Sequence, residues 1–493
     1  MTKRLFRLLV SAISSVLLGL ALILFGAYIW FLRSGPEPKV WHTAHLSAEF
    51  TAAREGEVNS IAAYRALEDR LFAELKAEIV DKVPPEERSL INRYAAGSLS
   101  DPGVWPTNWN RSFELTPANP GGAALLLHGL TDSPYSMRSI GEHLAERGLK
   151  VVALRLPGHG TAPSGLVSFK VEDMQAAVRI AMRDLRRQMG PDRPIYMVGY
   201  SNGAALAVDY TVSVVAGADL PRPAGLVLLS PAIGIARLAV VARTRTGLSS
   251  LPGFGRAAWQ QIVQEFDPYK YSSFSFNAAG QTQRLTSGLA RRVEKLARDR
   301  PIDGFPPVLA FQSTVDSTVR AEAVVDALLE HLAPGRHELV LFDVNRLAAV
   351  RPLLVRDPGP LTARLLAMPA RTFALTVITN ASVETDQLRE LRAEPGSSSQ
   401  VSRPLEFSWP QAVFSLAHVA LPFPPDDPLY GFLSERNARH VQLGRVQMHG
   451  ENGVLAIPDW VLTRQRSNPF HSYMIERIDG FVGPAAVQTL PAG

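Results

Sequence analysis

The 493-residue chain contains no cysteine. That excludes disulfides, thiolate metal centres and a cysteine nucleophile. It leaves the redox compartment open, because a chain without thiols is safe in an oxidising or a reducing one. The sequence also lacks an H-E-x-x-H pair, an acidic calcium loop, a G-x-x-x-x-G-K-[ST] loop and a strand-linked G-x-G-x-x-G, so no metal and no nucleotide cofactor is expected. No Lys/Arg run with interleaved aromatics occurs; Arg291, Arg292 and Lys295 read as one solvated helix face. The net charge is +5, but Lys3, Arg4, Arg7 and Arg33 supply four of those charges in a stretch, 1–33, that has no acid. The rest of the chain is nearly neutral, and nucleic acid is not an expected partner.

What is present begins with that N-terminal stretch. Leu8 to Leu32 is a run of 25 residues without a charge. As a helix it would reach roughly 37 Å, enough to cross a hydrocarbon core of about 30 Å with some tilt. Tyr28 and Trp30 lie where an interfacial belt would fall. A cleaved signal peptide would have a shorter apolar region and a small-residue cleavage site. The run therefore predicts a single-pass anchor that associates with the membrane through residues 8–32. The positive charges ahead of it place the N-terminus inside and the body periplasmic or otherwise extracytoplasmic.

Residues 1–40 are read as anchor and linker, 41–120 as a helical lead-in and 121–485 as the main domain. In the lead-in, 57–80 is apolar at helical spacing (Ile61, Tyr64, Leu67, Leu71, Phe72, Leu75, Ile79). In the main domain, apolar runs at 122–129, 150–160, 194–203, 225–232, 306–316 and 337–345 alternate with helical patterns. Such runs imply a mostly parallel, doubly wound α/β sheet buried on both faces, with its site at the C-terminal strand ends. Two insertions interrupt the alternation. One, 232–305, carries Trp259, Phe266, Tyr269, Tyr271, Phe274 and Phe276. The other, 346–410, contains one more strand-like run, 372–380, and a Gly/Ser-rich turn at 396–399.

The sharpest motif is Gly199-Tyr200-Ser201-Asn202-Gly203. It follows a strand and opens an apolar helix, the context in which a serine is forced outward on a tight turn that needs glycine on both sides. A serine nucleophile needs a base and an oxyanion hole. The first strand ends at His128-Gly129-Leu130, so the backbone N–H of Leu130 is the expected oxyanion donor, with that of Asn202 as partner. The acid is expected at a later strand end. Asp316 is preferred there, Asp343 being the rival. The base is expected among the late histidines, His331, His337, His418, His440, His449 and His471. His418 is preferred because it lies in a Pro-rich loop beyond the last strands.

Taken together, HGLTDSP, LPGHGTAP, GYSNGA, the STVD loop and SLAHVALPF resemble the α/β-hydrolase superfamily, and within it the serine aminopeptidase-like and monoacylglycerol lipase-like branch. The resemblance covers about 120–345 and 405–475. It implies an α/β-hydrolase fold with a cap at 232–305, and a catalytic triad of Ser201, Asp316 and His418. It also implies oxyanion N–H groups from Leu130 and Asn202. The expected function is a membrane-anchored serine hydrolase that cleaves small-molecule or lipid-like carboxylic esters without a cofactor. An acyltransferase or peptidase with the same triad is the alternative, and a non-catalytic envelope binding protein a more distant one. The oligomeric state is not legible.

Overall fold

Apolar runs bounded by Gly, Pro and polar turns form the central strands of a ten-stranded sheet. The computed structural model describes residues 2–33, 35–233, 255–435, 439–444, 449–451, 454–455 and 463–483. In chain order the strands of the sheet are β1 (Phe113–Leu115), β2 (Gly122–Leu127), β3 (Leu149–Leu154), β4 (Ile195–Tyr200), β5 (Gly225–Leu229), β6 (Val308–Ser313), β7 (His337–Phe342), β8 (Ala374–Asn380), β9 (Gln387–Ala393) and β10 (Val401–Ser408). Their spatial order is β1-β3-β2-β4-β5-β6-β7-β8-β9-β10. Every pairing from β3 across to β8 is parallel. β1, β9 and β10 join antiparallel.

Among the described residues the helices of seven residues or more are α1 (Thr2–Arg33), α2 (Ile61–Glu78), α3 (Arg138–Glu146), α4 (Val171–Met189), α5 (Asn202–Val215), α6 (Phe276–Leu296), α7 (Ala321–Ala327), α8 (Gly359–Leu366) and α9 (His471–Val482). The central strands are buried along their whole length, and successive residues serve opposite faces. In β2, Leu125 and Leu127 pack into one apolar cluster with residues of α4, α5 and α6, while Ala124 and Leu126 pack into a second with residues of α3 and α9. Covering both faces is what an all-parallel centre requires.

α1 contains Phe6–Leu24, 19 residues apolar and long enough to cross a membrane by length and composition, and none of that window is buried in the protein. The helix read at 57–80 is shorter than its apolar pattern. Ser60 accepts a hydrogen bond from the N–H of Ala63 and so sets its start at Ile61. It is tied to the sheet by a buried network. Arg155, at the end of β3, donates from Nε to Glu68 Oε1 at 3.0 Å, and from Nη1 and Nη2 to Glu49 at 3.0 and 2.8 Å. Burial pushes the Glu68 carboxyl above its ordinary value, more than the Arg155 charge pulls it down.

Residues 346–410 contribute α8 and then β8, β9 and β10, which extend the main sheet. The turn at 396–399 joins β9 to β10, with Gly396 at φ +69°. Of the stretch 232–305, residues 234–254 lie outside the described residues. The part beyond them forms a two-stranded ribbon (Trp259–Gln261 with Phe274–Ser275) and α6, whose N-terminus is capped by Ser275.

Candidate active site

Ser201 sits between the last residue of β4 and the first of α5, at φ +53° and ψ −114°. For a residue with a Cβ this is a strained conformation, costing on the order of 1–3 kcal/mol. The strain is held by packing that only glycine permits on either side. A Cβ on Gly199 would fall 2.4 Å from the Cα of Ala204, and one on Gly203 would fall 2.2 Å from the carbonyl oxygen of Leu127. The backbone is also pinned: Ser201 N–H donates to the Leu229 carbonyl of β5 at 2.8 Å, and its own carbonyl accepts from Ala205 and Ala232.

The turn aims the hydroxyl at His418, with Oγ 2.9 Å from Nε2. The other ring nitrogen, Nδ1, lies 2.7 Å from Asp316 Oδ2. Ser201, Asp316 and His418, far apart in the chain, thus meet in one buried hydrogen-bonded row. Asp316 lies in the loop after β6. Its Oδ1 accepts from the N–H groups of Thr318 and Val319 at 2.8 and 2.9 Å, and its Oδ2 also accepts from Gln312 at 2.9 Å. Burial pushes this carboxyl up, but His418 and the two backbone N–H groups outweigh it and hold Asp316 below the usual carboxylate range. An acid that stays ionised fixes Nδ1 as the protonated nitrogen and leaves Nε2 free to accept from the serine.

The alternatives are engaged elsewhere. Asp343 is bound by Arg346 and by the Thr379 hydroxyl at 2.8 Å. His337 opens β7, at the other end of the sheet, and His440 stacks on Trp105 at 4.2 Å.

Leu130 and Asn202 line the same cavity as Ser201 and His418, a space of about 360 Å³. Asn202 is the first residue of α5, so its N–H has no acceptor within the helix. The loop carrying Leu130 is held open at Thr131, a β-branched residue at φ +67°, whose carbonyl accepts from Tyr271 N–H at 2.8 Å. His128, in the same loop, serves the scaffold. Its Nε2 accepts from Leu156 N–H at 3.0 Å while Nδ1 lies 2.8 Å from the Gly129 carbonyl, and burial holds its pKa well below the ordinary value. His159 is similar: its Nδ1 lies 2.9 Å from the Pro157 carbonyl, and burial lowers its pKa to about 4.

Beside this cavity lies a larger one of about 700 Å³. Asp132, Tyr200, Lys270, Val419 and Arg464 line both. The aromatics of 232–305 divide between lining and packing. Phe274 faces the smaller cavity and Phe266 the larger, whereas Tyr269 stacks on Tyr135 at 4.3 Å and Trp259 meets His42 edge-on. Several polar residues of the site carry no motif signal: Lys270 paired to Asp132 at 2.5 Å, Arg466 beside Asp267 at 4.0 Å, and Glu451 with Arg464. Of these only Asp132 falls in a quoted motif, HGLTDSP, and nothing in its spacing signals an ion pair with Lys270, 138 positions away.

Residues 118–337 match the family described as Hydrolase_4: serine aminopeptidase, S33. Over residues 118–337 the chain is thus similar to the serine aminopeptidase-like α/β hydrolases. A curated relative of this chain is the thermostable monoacylglycerol lipase of a Bacillus species, 29% identical over 130 residues. That alignment covers 26% of the chain and 47% of the lipase, so the chain spans about half the length of the curated relative it matches. Among solved structures, a metagenome-derived lipolytic enzyme is 20% identical, covering 47% of this chain and 87% of its own, with a TM-score of 0.37. The monoacylglycerol lipase of Paleococcus ferrophilus is 18% identical, covering 47% and 88%, with a TM-score of 0.35. His418, and the edge strands β8 to β10, lie beyond the family match.

Proposed function

We propose that the protein is a membrane-anchored serine hydrolase that cleaves carboxylic esters through Ser201, His418 and Asp316. The observation that carries this reading is the hydrogen-bonded row from Oγ to Nε2 and from Nδ1 to the Asp316 carboxyl group, at the wall of a cavity. His418 takes the proton of Ser201 as the oxygen attacks the ester carbonyl. Asp316 holds the imidazolium that forms. The N–H groups of Leu130 and Asn202 receive the negative oxygen of the tetrahedral intermediate. His418 then passes its proton to the departing alcohol, and water repeats the sequence on the acyl-enzyme.

The smaller cavity, walled by Leu130, Ala232, Phe274, Ala279 and Val319, suits the acyl chain, and the larger one, with Lys270, Asp267 and Arg466 around it, suits the alcohol portion. The name of the Bacillus relative points the same way, toward a lipid-derived ester. Purified full-length protein is expected to hydrolyse p-nitrophenyl esters and monoacylglycerols in a chain-length-dependent way, and to be inactivated by a fluorophosphonate. No turnover across the panel, with no labelling, would overturn the reading.

The anchor reading rests on Phe6–Leu24 and on the positive charges ahead of it, which favour a body outside the inner membrane. After cell fractionation the protein is expected to stay with the membranes through an alkaline carbonate wash, and its body to be open to protease in spheroplasts. Release by carbonate, or protection of the body, would refute the anchor or the orientation respectively.

A further inference from the structure

Asp316 and His418 reach the Ser201 turn from two loops that no strand pairing among the described residues connects, one after β6 and one near residue 418. Besides the bond between Asp316 and His418 themselves, a buried carboxylate joins them. Glu451 is wholly buried. Its Oε1 accepts from the hydroxyl of Ser317, the residue after Asp316, at 2.9 Å. Its Oε2 accepts from the backbone N–H of His418 at 3.0 Å. Arg464 closes the arrangement: its Nε lies 2.8 Å from Oε1, and its Nη2 donates to Oε2 at 3.1 Å and to the Thr318 hydroxyl at 3.2 Å. The partners are brought side by side by a short parallel ribbon in which Gly450 registers with Arg464. A buried carboxylate needs such a set of donors to be tolerated at all.

We infer that Glu451, locked by Arg464, is a positioning residue that sets the distance between the Asp316 loop and the backbone of His418, and thereby the reach of Nε2 to Ser201. This rests on the serine-hydrolase reading above. The Glu451 carboxylate touches neither Ser201 nor the imidazole, so it acts on rate through placement. A base displaced by about 1 Å loses on the order of 100-fold in rate, and the Glu451 side chain itself lines neither cavity, so its loss is read chiefly in kcat.

The test compares wild type with Glu451→Gln, which keeps the shape but loses the charge that holds Arg464, and with Glu451→Ala. For Glu451→Gln the expected result is a fall in kcat of about 10-fold or more, with KM within about twofold of wild type. The rate of Ser201 inactivation by a fluorophosphonate falls by the same factor, and the melting temperature is little changed. Glu451→Ala is expected to fall further, and Glu451→Gln decides alone if the alanine variant fails to fold. Wild-type kcat in both variants, or a raised KM at unchanged kcat, would overturn the inference. Ser201→Ala run in parallel separates the two levels. If it stays active, the serine-hydrolase reading fails; if it is inactive while Glu451→Gln is at full rate, only the role of Glu451 fails.

Discussion

Ser201→Ala is expected to lower kcat for a p-nitrophenyl ester by on the order of 10⁴-fold or more, with fluorophosphonate labelling lost and the melting temperature within a few degrees of wild type. The size of the effect follows from the role proposed for the hydroxyl: without it there is no covalent intermediate for His418 and Asp316 to serve. The small structural effect follows from the backbone. Alanine keeps the Cβ, so the strain at φ +53° is the same in both proteins, and the hydrogen bonds of the Ser201 main chain to Leu229, Ala205 and Ala232 are untouched. Turnover within tenfold of wild type would place the chemistry elsewhere.

Arg155→Met is expected to cost about 3–5 kcal/mol in unfolding free energy at neutral pH. The side chain is 1% exposed and neutralises Glu68, itself 2% exposed. Methionine fills similar space but leaves the carboxylate in an apolar setting, with only Ser112 still donating to it. The pH dependence has a definite sign. A carboxyl whose folded pKa is raised binds its proton more tightly in the folded state, so it detracts from stability as pH rises above its unfolded value. Removing Arg155 raises the Glu68 pKa further. The deficit of the variant is therefore expected to shrink as pH is lowered from 7 toward 4.5, the ordinary value of this group. Urea unfolding at several pH values measures it; a loss under about 1 kcal/mol at neutral pH would mean that the network is not structural.

The parts of the fold legible in the sequence are those where burial dictates composition. β2 to β7 read as strands because both faces of each are covered, which keeps their runs mostly apolar, with polar residues such as Lys150, Gln312 and Glu338 confined to the strand ends. β9 and β10 escape such reading. QLRELRA sets the charges Arg389 and Glu390 side by side and so breaks the apolar alternation, and VSRPLEFS has no buried face at all. The elbow at Ser201 is legible because its backbone geometry demands glycine at 199 and 203. Asp316 and His418 follow from chain order and loop position, and the structure sets them within hydrogen-bonding distance of one another. Glu451 and Arg464 are not legible. Each is a lone charged residue in sequence, and their significance lies in partners reached only when three loops converge.

The sheet that carries this site ends on two weak rims. β1 is only three residues long, and on β10 Pro404 offers no N–H while Arg403 and Glu406 point charge along the edge. On the anchor proposed above, copies would share a thin layer and meet often, and an open edge would invite a strand from the next molecule. Here such growth is discouraged at both ends, so crowding at a surface does not turn a ten-stranded sheet into the seed of a larger one.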